Sequence, residues 1–188
     1  MAKTDNNIIT RNYSGSVGRQ FSLRTRGNKS ILAALPKSRY GLPLTPAQQL
    51  VREKFQLATI YARKAASNPA LMEAYEAGRR GNQSARNVAF KDAWFAPIVS
   101  SIQTDAYTGE ADQPIVVRAI DNFRVTAVKV SLFSAEGTLL EEGSAVEDEN
   151  GYDWIYRSTS VNPALTGTLI RAVAEDLPKN KGSLEILL

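Results

Sequence analysis

The hydrophobic period of this chain changes once, at Pro97, and that change narrows the folds open to it. Over 45–96 the apolar residues recur every three or four positions, the spacing that lines one face of a helix. Over 98–188 they fall in short runs divided by turn residues, the spacing of strands. No helix-period segment separates one run from the next. A β-α-β nucleotide-binding sheet is therefore not expected, and an antiparallel β-sandwich is. The fold class is α+β, in three regions at 1–44, 45–97 and 98–188.

The first region is a basic extended arm. Phe21, Leu23 and Thr25 alternate with Ser22, Arg24 and Arg26, Gly27-Asn28 offers a two-residue turn, and 29–33 can return as a second strand. A hairpin alone is marginal in water, so Phe21, Leu23 and Ile31 need a surface to pack on. The helical region opens with Thr45 as N-cap and Pro46 at the first helical position. Its stripe runs through Ala47, Leu50, Val51, Phe55, Ala58, Tyr61, Ala62 and Ala65. Asn68-Pro69 repeats the start signal for a shorter second helix, and a third, over 84–96, is stopped by Pro97. Strands are expected over 115–119, 126–133, 138–146, 152–157, 168–174 and 183–187, with 101–107 leading in.

Composition restricts the chemistry. The chain has neither histidine nor cysteine, which removes the usual general base, the usual nitrogen and thiolate metal ligands and every disulfide. Catalysis would rest on carboxylates, lysine or tyrosine, and a non-enzyme with no cofactor and no small-molecule substrate is expected. No secretory h-region lies within residues 2–20, and nowhere do about 18 apolar residues run together. A soluble chain is expected, its location left open between the cytoplasm and an assembled particle or surface.

Charge is divided unevenly. Residues 1–97 hold 16 Lys and Arg against 5 acids, and residues 98–188 hold 7 against 14, so the total of +4 conceals +11 and −7. Such a split prompts a search for an electrostatic partner, and the first available one is another copy of the chain. The expected contact sets the arm (Phe21, Leu23, Arg24, Arg26 and Ile31) against an acidic surface of Glu141, Glu142, Glu147, Asp148 and Glu149. An extended segment can add to a sheet edge of a neighbour, giving a head-to-tail homo-oligomer or filament. Nucleic acid is the alternative partner. Arg11, Arg19, Arg24, Arg26, Lys29, Lys37 and Arg39, interleaved with Tyr13, Phe21 and Tyr40, have the make-up of a phosphate-neutralising arm. Against it, the acidic half would repel the same polyanion.

Several smaller patterns have a plainer structural explanation. Gly15-x-x-Gly18 precedes a strand rather than a helix, so it reads as a turn and not a phosphate loop. Asn150-Gly151 reads as a hairpin turn, although Asp148, Glu149, Asn150 and Asp153 have oxygen ligands enough to suggest calcium. Asp121 and Asp176 both end strands and can approach each other at one end of the sandwich; Asx turns account for them, and calcium is the other use. Glu141-Glu142 is not a glycosidase pair, because neighbours on a strand face opposite ways. Trp154 is expected in the core; if exposed beside Tyr152 and Tyr156 it would form a sugar-stacking platform.

Ile115-Val-Val-Arg-Ala-Ile-Asp121, Val125-Thr-Ala-Val-Lys-Val-Ser131, Glu136-Gly137-Thr138, Trp154 and Ala172-Val-Ala-Glu-Asp176 with Asn180 resemble bacterial immunoglobulin-like domains of extracellular proteins. The resemblance covers about the last 85 residues and implies an immunoglobulin-like β-sandwich, here without a cysteine pair. The whole chain is similar to a group of uncharacterised bacterial proteins. These share a glycine-punctuated basic start (Gly15, Gly18, Phe21, Arg24), a proline–glutamine helix start (Thr45-Pro-Ala-Gln48), a short helical region and an immunoglobulin-like tail. That likeness implies an architecture and no activity.

Overall fold

A computed structural model describes residues 2–3, 14–26, 29–35 and 43–188. The chain divides into two compact units, Met1–Gln49 and Leu50–Leu188. The expected turn at Gly27-Asn28 lies outside the described residues, as do Arg11, Tyr13, Lys37, Arg39 and Tyr40 and the side chains of Arg26 and Lys29.

In the first unit the hairpin forms in the expected register, from Phe21 opposite Ala34 to Arg26 opposite Lys29. It is not a free two-stranded arm. Strands β1 (Ala2–Lys3), β2 (Gly15–Val17), β3 (Phe21–Arg26) and β4 (Lys29–Ala34) make an antiparallel sheet in the order β1-β4-β3-β2. The neighbours were hidden from a pattern search because they are short. The turn into β3 has positive φ at both Gly18 (58°) and Arg19 (54°), and the Gln20 N–H donates to the Val17 carbonyl at 3.2 Å. Positive φ at both central positions is the twist that hairpin turns prefer. Pairing Leu23 with Leu32 and Arg24 with Ile31 puts Ile31 on the opposite face from Phe21 and Leu23.

The helices α1 (Pro46–Ala65), α2 (Pro69–Ala77) and α3 (Ala85–Trp94) begin where their caps allow. The Thr45 hydroxyl accepts from the Gln48 N–H at 3.3 Å while the Gln48 amide oxygen accepts from the Thr45 N–H at 3.0 Å, a reciprocal capping box. Asn68 Oδ1 accepts from the Ala70 and Leu71 N–H groups, and Ser84 Oγ from that of Asn87.

Eight strands follow: β5 (Ile98–Gln103), β6 (Pro114–Ile120), β7 (Val125–Phe133), β8 (Leu139–Ser144), β9 (Val146–Glu147), β10 (Asp153–Arg157), β11 (Leu169–Asp176) and β12 (Lys181–Leu187). They build two antiparallel sheets, β5-β6-β10-β9 and β12-β11-β7-β8. The sheets share one core, with Ile115 and Val117 from β6, Val128, Val130 and Leu132 from β7, Trp154 and Tyr156 from β10, and Ile170, Ala172 and Ala174 from β11. Each of these inward residues alternates with an outward one, as a sheet with one buried face requires.

The segment 138–146 departs from expectation. It is two strands on different sheets, β8 beside β7 and β9 beside β10. Between them Ala145 is buried and its N–H donates to the Val128 carbonyl at 2.8 Å. Gly143 permits the crossing, since a Cβ there would lie 2.6 Å from the Tyr156 ring. A second cluster joins the helices to one end of the sheets: Ala62, Ala65, Tyr75, Ala85, Val88 and Ala89 pack with Phe123 and Leu177 from the turns beyond β6 and β11.

Candidate functional site

That helix-capped end holds a group of acids. Asp92 lies on the inward face of α3, where Val88 and Ala89 are also buried. Asp121 follows β6, and its Oδ2 accepts from the Phe123 and Arg124 N–H groups at 3.0 and 3.1 Å, closing an Asx turn. Asp176 ends β11 at a register irregularity; its Oδ1 accepts from the Asn180 N–H at 2.6 Å and its Oδ2 from Asn180 Nδ2 at 2.7 Å. Asn180 Nδ2 also donates to the Asp92 carbonyl at 3.2 Å, which ties α3 to the β11–β12 turn. One carboxylate oxygen from each of Asp92, Asp121 and Asp176 lies within 4.8 Å of the others. The expected approach of Asp121 to Asp176 is present, and Asp92 is the member that strand patterning missed. Its signal was a polar residue on an apolar helix face, three and four positions after Ala89 and Val88.

Asp92 and Asp176 are fully buried. The Tyr75 hydroxyl donates to Asp92 Oδ2 at 2.6 Å, and the Tyr61 and Tyr75 hydroxyls are 2.8 Å apart. Burial pushes the Asp92 carboxyl up to about 7, against the lowering effect of the Tyr75 hydrogen bond. Burial also raises Asp176, despite its bonds to Asn180. Asp92 Oδ1 and Asp121 Oδ1 are buried and accept no hydrogen bond.

A different end of the sheets handles a buried acid in another way. Glu141, expected on the acidic surface, is buried in β8. Its Oε2 accepts from the Thr159 N–H and hydroxyl at 2.7 and 2.6 Å and from the Ser160 N–H and hydroxyl at 2.9 and 3.0 Å. Glu141 is thus a structural clamp on the segment after β10. Its neighbour Glu142 faces out as strand alternation demands, paired with Lys129 at 2.5 Å and Ser131 at 3.0 Å.

The remaining acids stand together. Glu147, Asp148 and Glu149 line an open groove of about 620 Å³, with Val146, Ile155 and Tyr156 as its apolar wall. The groove lies where the chain crosses from one sheet to the other. Asn150-Gly151 is the expected turn: Gly151 has φ 72°, and Asn150 Oδ1 accepts from the Tyr152 and Asp153 N–H groups at 2.9 Å. Asp153 is held by Arg118 through two bonds of 2.7 and 2.8 Å, so its oxygens serve that pair rather than a calcium loop. Trp154 and Tyr156 are buried, and only Tyr152 of that trio is exposed, so they form no sugar-stacking platform.

Among the arm residues, Leu23 is buried, Phe21 and Ile31 are half-buried, and Arg24 is exposed. Helix α1 holds the largest surprise. The small residues Ala58, Ala62 and Ala65 face inward, while Leu50, Val51, Phe55, Leu57 and Ile60 are 66, 57, 54, 68 and 48% exposed. Phe55 leans on Phe90 and Trp94 at centroid distances of 5.1 and 6.2 Å, and the Lys54 ammonium sits 5.2 Å above the Trp94 ring. Periodicity located this helix but could not rank alanines against larger side chains for the interior.

No family model and no curated protein matches the sequence. Among solved structures, the chain is similar to an engineered protein at 17% identity and a TM-score of 0.37, over 47% of this chain and 19% of that one. The chain therefore spans about a fifth of that protein's length. Among the described residues no helix is long and apolar enough to cross a membrane.

Proposed function

We propose that this chain is a non-catalytic structural protein that associates with copies of itself. The exposed apolar face of α1 and the basic N-terminal unit each offer a contact surface, and the acidic groove of the next copy receives the basic unit. The observation that carries this reading is α1, which turns its alanines inward and leaves Leu50, Val51, Phe55, Leu57 and Ile60 in solvent. Several large apolar side chains exposed on one helix suit a contact site. Charge supports the choice of a second copy as occupant. Residues 1–49 hold eight Lys and Arg against one acid, and Glu147, Asp148 and Glu149 line the groove. Because the two surfaces differ, repetition gives a ring or a filament. The contact uses the surface of the N-terminal sheet rather than an inserted strand, since β3 and β4 already have neighbours on both sides.

The same reading takes the β-sheets as an immunoglobulin-like sandwich of the bacterial kind. The order β5-β6-β10-β9 against β12-β11-β7-β8 corresponds to A-B-E-D against G-F-C-C′. Trp154 departs from that pattern, lying on the E-equivalent β10 rather than on C. The non-catalytic part rests on the absence of histidine and cysteine and on access. Asp92 is fully buried, and the cleft reaching its neighbour Asp121 is about 130 Å³, well below the size of usual substrate pockets.

Light scattering at low and high salt tests the proposal, with the wild type and a Glu147→Lys/Glu149→Lys double variant. The expected result is salt-sensitive assembly that the double variant loses. A wild-type monomer whose mobility shifts only when DNA or RNA is added would replace self-association with nucleic-acid binding by the basic N-terminal unit.

A further inference from the structure

We infer that Asp92, Asp121 and Asp176 bind one hard divalent cation, which clasps α3 to the ends of β6 and β11. The proximity of three acids is the first observation. The second is independent of it: the fully buried Asp92 carboxylate turns Oδ2 to Tyr75 and leaves Oδ1 without any donor. Asp121 likewise commits Oδ2 to its turn and leaves a buried Oδ1 unpaired. Buried carboxylate oxygens are almost always paired, and an unpaired one forfeits its hydration without return.

Among the described residues no side chain supplies the missing positive charge. None of the salt bridges among the described residues involves Asp92, Asp121 or Asp176. The charge of three carboxylates converging on one point is then offset from solution, by a bound cation or by a proton. Oxygen-only donors select the calcium and magnesium class over zinc or copper, which prefer nitrogen and sulfur. The surrounding bonds already hold the donors in place: Tyr75 orients Asp92, Asn180 orients Asp176, and the Asx turn orients Asp121. Asp121 also lines a cleft of about 130 Å³ beside Phe123, Arg124 and Tyr152. An ion here would join the helical layer to the sheets through three elements at once.

The full chain, freed of metal with chelator and exchanged into buffer, is titrated with Ca2+ and separately with Mg2+ by calorimetry, and its thermal unfolding is followed at each step. The expected result is one ion per chain for at least one of the two and a rise in Tm of several degrees. Asp121→Asn, at a half-buried position where the amide oxygen can still accept from the Phe123 and Arg124 N–H groups, should weaken binding at least tenfold. Asp92→Asn should abolish it while unfolding at a higher temperature than the metal-free wild type, because the amide carries no buried charge and can donate toward Asp121. Absence of heat and of any Tm change with both cations overturns the proposal and leaves a proton as the counter-charge. Equal binding by wild type, Asp121→Asn and Asp92→Asn also overturns it, placing the ion elsewhere.

Discussion

The N-terminal sheet and the pair of sheets that follow the helices are both four-stranded and antiparallel, yet they are held together differently. The paired sheets close over a core of Ile115, Val117, Val128, Val130, Leu132, Ile170 and their neighbours. In the N-terminal sheet Leu23 is the one buried apolar residue among the described residues, and the buried Ser22 hydroxyl has no hydrogen-bond partner. Backbone pairing alone does not stabilise a short sheet; a second layer must cover one face. The difference teaches that, among the described residues, the N-terminal sheet buries far less apolar surface than the paired sheets; under the proposed self-association a second copy would cover it.

The largest expected effect isolates that unit. A peptide of residues 1–49 should give the circular dichroism of a coil, because four short strands with one buried apolar side chain among the described residues cannot offset the entropy of ordering them. A cooperative β-type transition in that peptide would erase the contrast. In the paired sheets, Ile170→Ala should cost about 3–4 kcal/mol in urea unfolding, since Ile170 is fully buried between two layers. Glu141→Ala should cost about 2–3 kcal/mol, leaving the donors of Thr159 and Ser160 without their shared acceptor. Leu23→Ala should move the main unfolding transition by less than about 1 kcal/mol, in keeping with a thin sheet outside the principal core. A Leu23→Ala effect as large as that of Ile170→Ala would place both in one cooperative unit.

Much of this architecture could be read directly from particular residues. Thr45 with Gln48, Asn68 with Pro69, and Ser84 mark helix starts, and Asn150-Gly151 marks a turn, because capping and positive φ are local demands. The division of 138–146 at Ala145 was not legible, since both halves continue one another in sequence and only register assigns them to different sheets. Alternation predicts that Glu141 and Glu142 face apart but not which one turns inward; that depends on Leu132 lying opposite Glu141. The acidic centre was half legible. Asp121 and Asp176 end strands, whereas Asp92 reaches them only through the packing of α3 on the sheet ends, a contact of high sequence separation.

The most direct test compares the molar mass of the full chain with that of Leu50–Leu188, by size exclusion with light scattering at low salt over a range of concentrations. The account predicts concentration-dependent assembly of the full chain and a folded monomer for Leu50–Leu188, because the truncation removes the unit proposed to enter the acidic groove. A full chain that stays monomeric at every concentration, or a truncated chain that assembles to the same extent, would contradict it.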